Sequence, residues 1–113
     1  FDPSHLIWMQ MDHLKPLREF SNRLFHVHAK DVRINKDRLD DVGILATPLQ
    51  YHQPRIPGFG EIDWGRFIGT LMQVGYNGPV CIEVEDDTFG KSLNDRKRAL
   101  ITAGNVLRDY VVK

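Results

Sequence analysis

An α/β fold with parallel strands is the architecture this sequence predicts. Stretches of strand character alternate with stretches of helical periodicity, in the order loop, helix, strand, helix, strand, helix. The strand candidates at 24–29 and 80–85 each become ionisable toward their C-terminal ends, and both do so on one face only. Two strands cannot form a doubly covered parallel sheet. The expectation is therefore a segment of a larger α/β fold, or a unit that completes itself by association.

In chain order, FDPSH at 1–5 is expected to be a loop, with Asp2 opening an Asx-turn before Pro3. Leu14, Leu17 and Phe20 recur at helical spacing and predict a first helix from Asp12 to Ser21, with Pro16 tolerated in its first turn. Residues 24–29 follow as a strand. The stretch 31–62 is rich in charge, Pro and Gly, and is expected to be irregular, with KDRLDD as a solvated loop. Asp63 is a good N-cap for a second helix whose apolar face is Trp64, Phe67, Ile68, Leu71 and Met72, and Gly75 stops it. YNGP makes a turn, VCIEVE the second strand and DDTFGK another loop. A last helix is expected over 93–112, burying Leu100, Ala103, Leu107, Tyr110 and Val111.

Composition excludes several classes of function. Fifteen basic residues balance fifteen acidic ones, so no net field draws the chain to nucleic acid or to an anionic membrane. No apolar run approaches the roughly 18 residues of a membrane span, and no leader pattern is recognisable. The lone Cys81 excludes an internal disulfide and favours a reducing, cytoplasmic setting. The chain opens on Phe1, not Met, so it is expected to be a piece of something longer, with all 113 residues forming one segment.

The strand faces locate the chemistry. Phe25, Val27 and Ala29 share one face of the first strand, while Leu24, His26, His28 and Lys30 share the other. In the second strand Val80, Ile82 and Val84 oppose Cys81, Glu83 and Glu85. Parallel α/β folds bind ligands at the C-terminal ends of strands. Asp2, His28 and Glu83 fall at or just beyond such ends. An imidazole converging with carboxylates suits one divalent cation of intermediate hardness, such as Mn²⁺, Zn²⁺, Co²⁺ or Mg²⁺. Cys81 is expected to be inert packing.

Four ordered motifs, FDPSH, RLFHVHAKD, RIPGFGEIDW and GYNGPVCIEVED, resemble the C-terminal part of the xylose-isomerase-like TIM barrels, and within them the sugar phosphate isomerase/epimerase group. The resemblance runs from Phe1 to about Val112. It implies the end of barrel strand 6, a helix, strand 7, a helix, strand 8 and a helix, an incomplete (β/α)8 barrel. It further implies metal ligation by Asp2, His28 and Glu83, with a fourth ligand, a Glu, on a strand preceding Phe1. Glu83 would also serve as catalytic base. His5, Lys30 and Arg55 would bind substrate, with Arg33 a weaker candidate, and His26 matches no ligand.

What the resemblance implies about activity is proton transfer next to the carbonyl of a small sugar, through an enediolate whose charge the metal stabilises. A dehydratase of the inosose type shares that chemistry and is the enzymatic rival; an inert fragment is the non-enzymatic one. The zinc endonuclease that shares the barrel needs more His and acidic ligands and a basic groove, which this neutral sequence lacks. Exposed strand edges lead us to expect a homo-oligomer.

Overall fold

Three backbone segments lie side by side and carry the architecture. In the computed structural model, which describes residues 1–111, β1 (Val27–Ala29) pairs in parallel with β4 (Val80–Ile82), with His28 opposite Cys81. On the other side of β1, Phe1 donates its terminal amine to the His26 carbonyl at 2.7 Å and accepts from the His28 amide at 2.8 Å. The Glu83 amide reaches the Ala29 carbonyl at 3.2 Å, extending the β1–β4 ladder one step. Asp2, His28 and Glu83 thus emerge at the same end of three adjacent segments. The fold is mixed α/β.

Several elements differ from expectation. FDPSH is not a loop but the start of α1 (Pro3–Trp8). Asp2 is its N-cap, accepting from the Ser4 amide at 2.9 Å and from its hydroxyl at 2.6 Å, and Pro3 fits the first turn because its missing N–H has no partner to lose. The next helix, α2 (Lys15–Glu19), is shorter than expected and gives way to a 3₁₀ turn at Ser21–Arg23. Asp12 accepts from the Leu14 amide at 2.8 Å, ahead of the helix. The first strand starts three residues late, and Phe25 is 80% exposed instead of covered.

The stretch 31–62 is ordered. It holds β2 (Asp31–Ile34) and β3 (His52–Arg55), an antiparallel pair with Asp31 opposite Arg55, and between them α3 (Lys36–Val42). KDRLDD is therefore a helix, capped by Asn35 through the Arg38 amide and anchored by the buried Leu39. Glu61 ties the hairpin back by accepting from the Ile34 amide at 2.7 Å.

The helix α4 (Trp64–Gln73) follows expectation: Asp63 accepts from the Arg66 amide, and Trp64, Phe67, Ile68 and Leu71 are buried, although Met72 is exposed. Gly75 has φ +73°, which glycine adopts without strain. In α5 (Leu93–Arg108) the buried stripe is Ala99, Ala103 and Leu107, one residue every four, while Leu100, Tyr110 and Val111 are exposed. Val112, the expected end of that helix, lies outside the described residues. The main core joins α2, β1 and α4 through Leu14, Leu17, Val27, Ala29, Phe67 and Leu71. Among the described residues no helix is long and apolar enough to cross a membrane.

Candidate metal centre

Two buried aspartates frame the site without belonging to it. Asp31 is wholly buried and accepts four hydrogen bonds, from the amides of Val32, Gly58 and Ile62 and from the Trp64 indole, at 2.9–3.1 Å. It pins the loop 56–62 against the start of β2. Gly60 lies so close that a Cβ there would collide with the Asp31 carboxylate and the Val32 carbonyl. Asp86 accepts from the Ile56 and Thr88 amides and stands 3.2 Å from Arg55 Nε.

The open cluster is built differently. One ligand atom from each of Asp2, His28 and Glu83 lies within 4.8 Å of the others. His28 Nδ1 is 2.9 Å from Glu83 Oε2 and 3.9 Å from Asp2 Oδ2. Lys30 Nζ faces the same oxygens, 3.2 Å from Asp2 Oδ2 and 3.6 Å from Glu83 Oε2, and also lies 3.5 Å from Glu85 Oε2. Yet Asp2 Oδ2 and Glu83 Oε2 are buried and accept no directed hydrogen bond. Ion-pair distance without hydrogen-bond alignment leaves their lone pairs free.

Charge points the same way. Three carboxylates, Asp2, Glu83 and Glu85, confront one ammonium, with the His28 imidazole beside them. Burial alone would lower the Lys30 ammonium, but the Asp2 carboxylate, followed by Glu83 and Glu85, outweighs it and raises its pKa above the usual lysine value. An imidazole nitrogen, two orphaned carboxylate oxygens and an excess of negative charge form a donor set that fits a divalent metal.

The other expected residues are distributed as follows. His5 Nε2 is 3.6 Å from Asp2 Oδ2, at the rim of the cluster. His26 is exposed and meets the His28 ring edge-on at 5.3 Å. Arg55 does not join the cluster: its guanidinium is held by Asp86, by the Thr88 hydroxyl at 3.2 Å and over the Phe59 ring. Arg33 is exposed on β2, and Cys81 is exposed as well. Glu85 and Asp86 are expected from the sequence to lie behind the ligands or in solvent; Glu85 faces Lys30 and Asp86 is buried. The buried Asp31 and the rings of Trp8 and His52 beside the cluster had no role assigned from the sequence. For Asp31 a signal existed, since a charged residue directly following buried strand positions must find partners. For Trp8 and His52 there was none, because they meet across 43 intervening residues.

The sequence profile of the xylose isomerase-like TIM barrels matches residues 1–110. The chain belongs to this family. Among curated members of the xylose isomerase-like TIM barrels, it is 37% identical over 90 residues to an inosose dehydratase of Geobacillus thermodenitrificans, covering 77% of this chain and 30% of that protein. It is 33% identical over 97 residues to the protein YfiH of Bacillus subtilis, covering 78% and 31%. It is 32% identical over 93 residues to an inosose dehydratase of Clostridium perfringens, covering 77% and 30%. The chain spans about a third of the length of these relatives.

Proposed function

We propose that this chain supplies the metal-binding side of an active site that removes a proton next to the carbonyl of a small polyhydroxylated substrate. The observation that supports it most is the pair of buried oxygens, Asp2 Oδ2 and Glu83 Oε2, that face His28 and Lys30 without an aligned hydrogen bond. Asp2, His28 and Glu83 would hold one divalent ion, with Mn²⁺, Zn²⁺, Co²⁺ and Mg²⁺ all compatible with this donor set. When bound, it supplies Lewis-acid stabilisation of the negative charge that develops on the substrate oxygens.

The side chains divide the remaining work. Glu83 takes the carbon-bound proton; a carboxylate has a second oxygen to do so while the first faces the cluster. Lys30, kept protonated by the surrounding carboxylates, donates to a substrate oxygen. His5 lies at the rim, where it contacts a neighbouring hydroxyl. Arg55 stays engaged with Asp86 and orders the wall behind the site.

The fate of the carbanion separates two readings. Return of the proton to the same or an adjacent carbon gives an isomerase or epimerase, the activity the motifs suggest. Loss of a β-hydroxyl as water, with Lys30 as the nearby acid, gives a dehydratase. Relatives named inosose dehydratase at 37% and 32% identity favour this second reading. The test is turnover in D₂O of a cyclic and of a linear polyhydroxylated ketone. Deuterium in a product of unchanged mass class marks isomerisation, and a product lighter by one water marks dehydration. Glu83→Gln is expected to lower either turnover by about 10³-fold or more while substrate still binds. Retained turnover in that variant overturns the assignment of Glu83.

A further inference from the structure

The two oxygens proposed for the metal also face the Lys30 ammonium, but the aligned contact of that ammonium lies elsewhere. Lys30 Nζ stands 3.2 Å from Asp2 Oδ2 and 3.6 Å from Glu83 Oε2, and neither oxygen accepts a directed hydrogen bond. Nζ donates instead to Glu85 Oε2, at 3.5 Å. The three carboxylates are also unequally placed. Asp2 is 10% exposed and Glu83 32%, whereas Glu85 is 51% exposed, at the mouth of the cluster.

Strand alternation sets up this arrangement. Lys30 is two residues beyond His28, and Glu85 two beyond Glu83, so each pair leaves its strand on one face. The ligand residues come first, and Lys30 and Glu85 stand one step farther toward the open end. A cleft of about 110 Å³ is lined there by Lys30 and Glu85, together with Ser4, His5, Trp8 and His52. The ammonium sits on a flexible four-carbon stem and can turn within this space without moving the core.

Charge gives the arrangement its sense. A divalent ion on Asp2 Oδ2 and Glu83 Oε2 would meet the ammonium beside it as a like charge. Yet three carboxylates match the summed charge of one divalent ion and one ammonium. Both cations can stay if they divide the carboxylates, Asp2 and Glu83 to the ion and Glu85 to Lys30. Without the ion, Lys30 is the cation that offsets the repulsion between the half-buried Glu83 and Asp2.

We propose that Lys30 is a built-in counter-cation of the cluster and that Glu85 is its tether. Lys30 balances Asp2 and Glu83 while the metal is away, and turns onto Glu85 when the metal arrives. This rests on the metal-binding reading of Asp2, His28 and Glu83 and adds how that site is loaded. Mn²⁺ titration of the full chain, followed by electron paramagnetic resonance, tests it, with thermal melts of the metal-free protein as the check on folding. Lys30→Met is expected to bind Mn²⁺ about tenfold tighter or more, because the competing charge is gone, and to melt lower without metal. Lys30→Gln, which stays polar, is expected to move in the same direction. Glu85→Gln, at an exposed position, is expected to weaken Mn²⁺ binding about fivefold or more. In the Lys30→Met background the same change is expected to stay within about twofold, since a tether acts only through what it holds. Mn²⁺ affinity that is unchanged or weaker in Lys30→Met and Lys30→Gln overturns the counter-cation. No loss in Glu85→Gln, or a loss of equal size in both backgrounds, overturns the tether. A parent protein that binds neither Mn²⁺ nor Zn²⁺ overturns the metal-binding reading, and this proposal with it.

Discussion

Asp31, next to Lys30 in sequence, and Asp2, 3.2 Å from its ammonium, use the same carboxylate in opposite ways. Asp31 is sealed from solvent with four donors arranged around it, so both of its oxygens are saturated. Asp2 spends Oδ1 on the Ser4 amide and hydroxyl and leaves Oδ2 buried with no directed partner. A saturated buried carboxylate organises backbone; a half-saturated one is held ready for a ligand. Burial alone does not distinguish the two, whereas the count of donors does.

The largest effect should come from breaking the saturated site. Asp31→Ala strands two buried amides, the half-buried Gly58 amide and a buried indole N–H at once, and we expect a loss of about 4 kcal/mol in chemical denaturation. A loss below about 1 kcal/mol would mean that water readily replaces the carboxylate and that the loop 56–62 is not anchored there.

The half-saturated site should respond more weakly. Asp2→Asn keeps the N-cap of α1, because an amide oxygen accepts from Ser4 as well as a carboxylate does, but it takes from the buried Lys30 its nearest counter-ion. The metal-free protein should therefore lose less stability than Asp31→Ala does. The stabilisation by saturating Mn²⁺, about 2.7 kcal/mol at a hundredfold excess over Kd, should be lost. A metal-dependent rise in melting temperature that survives Asp2→Asn would remove Asp2 from the ligand set. A smaller effect is expected at Gly60. Gly60→Ala pushes a methyl into the Asp31 carboxylate and should cost about 2 kcal/mol in the same denaturation assay, without changing metal affinity.

The contrast also explains what the sequence made visible. The N-cap of α4 and its apolar face were legible because the cap and the 3.6-residue period are local signals, and Asp63, Trp64, Phe67 and Leu71 carry them. The alternation that set His28 and Glu83 at one end of two strands was legible for the same reason. The β2–β3 hairpin was not, since Arg33, Gln53 and Pro54 show no apolar alternation. Its order comes from distant partners: Asp31 holding Gly58 and Ile62, and Glu61 holding the Ile34 amide. At α1 the signal was present and was read the wrong way. Asp-Pro serves equally as a turn opening or as an N-cap with proline in the first turn, and only the Ser4 contacts decide between them.

His13 tests the limit of the comparison, because an orphaned buried atom does not by itself make a ligand site. Its Nε2 is buried without a partner, yet the ring stacks on Phe67 at 6.2 Å, against the main core and outside the carboxylate cluster. Burial pushes the imidazole below its ordinary value of 6.5. Arg66 adds to this, and Asp12, Asp63 and Asp31 oppose it without prevailing. Because the folded value lies below the unfolded one, the unfolded chain takes up the proton first. The contribution to stability is then complete above 6.5 and is lost as pH falls through the folded value. Asp12 is also lowered, chiefly by the Leu14 amide, but its window lies below 3.8 and does not overlap. Denaturation at pH 8 and pH 5.5 should therefore show a smaller drop for His13→Gln than for the parent protein, with metal affinity unchanged. An equal drop in both would mean that His13 does not carry the acid sensitivity. An effect on metal affinity would mean that orphaned atoms reach the site from farther than the geometry of Asp2, His28 and Glu83 allows.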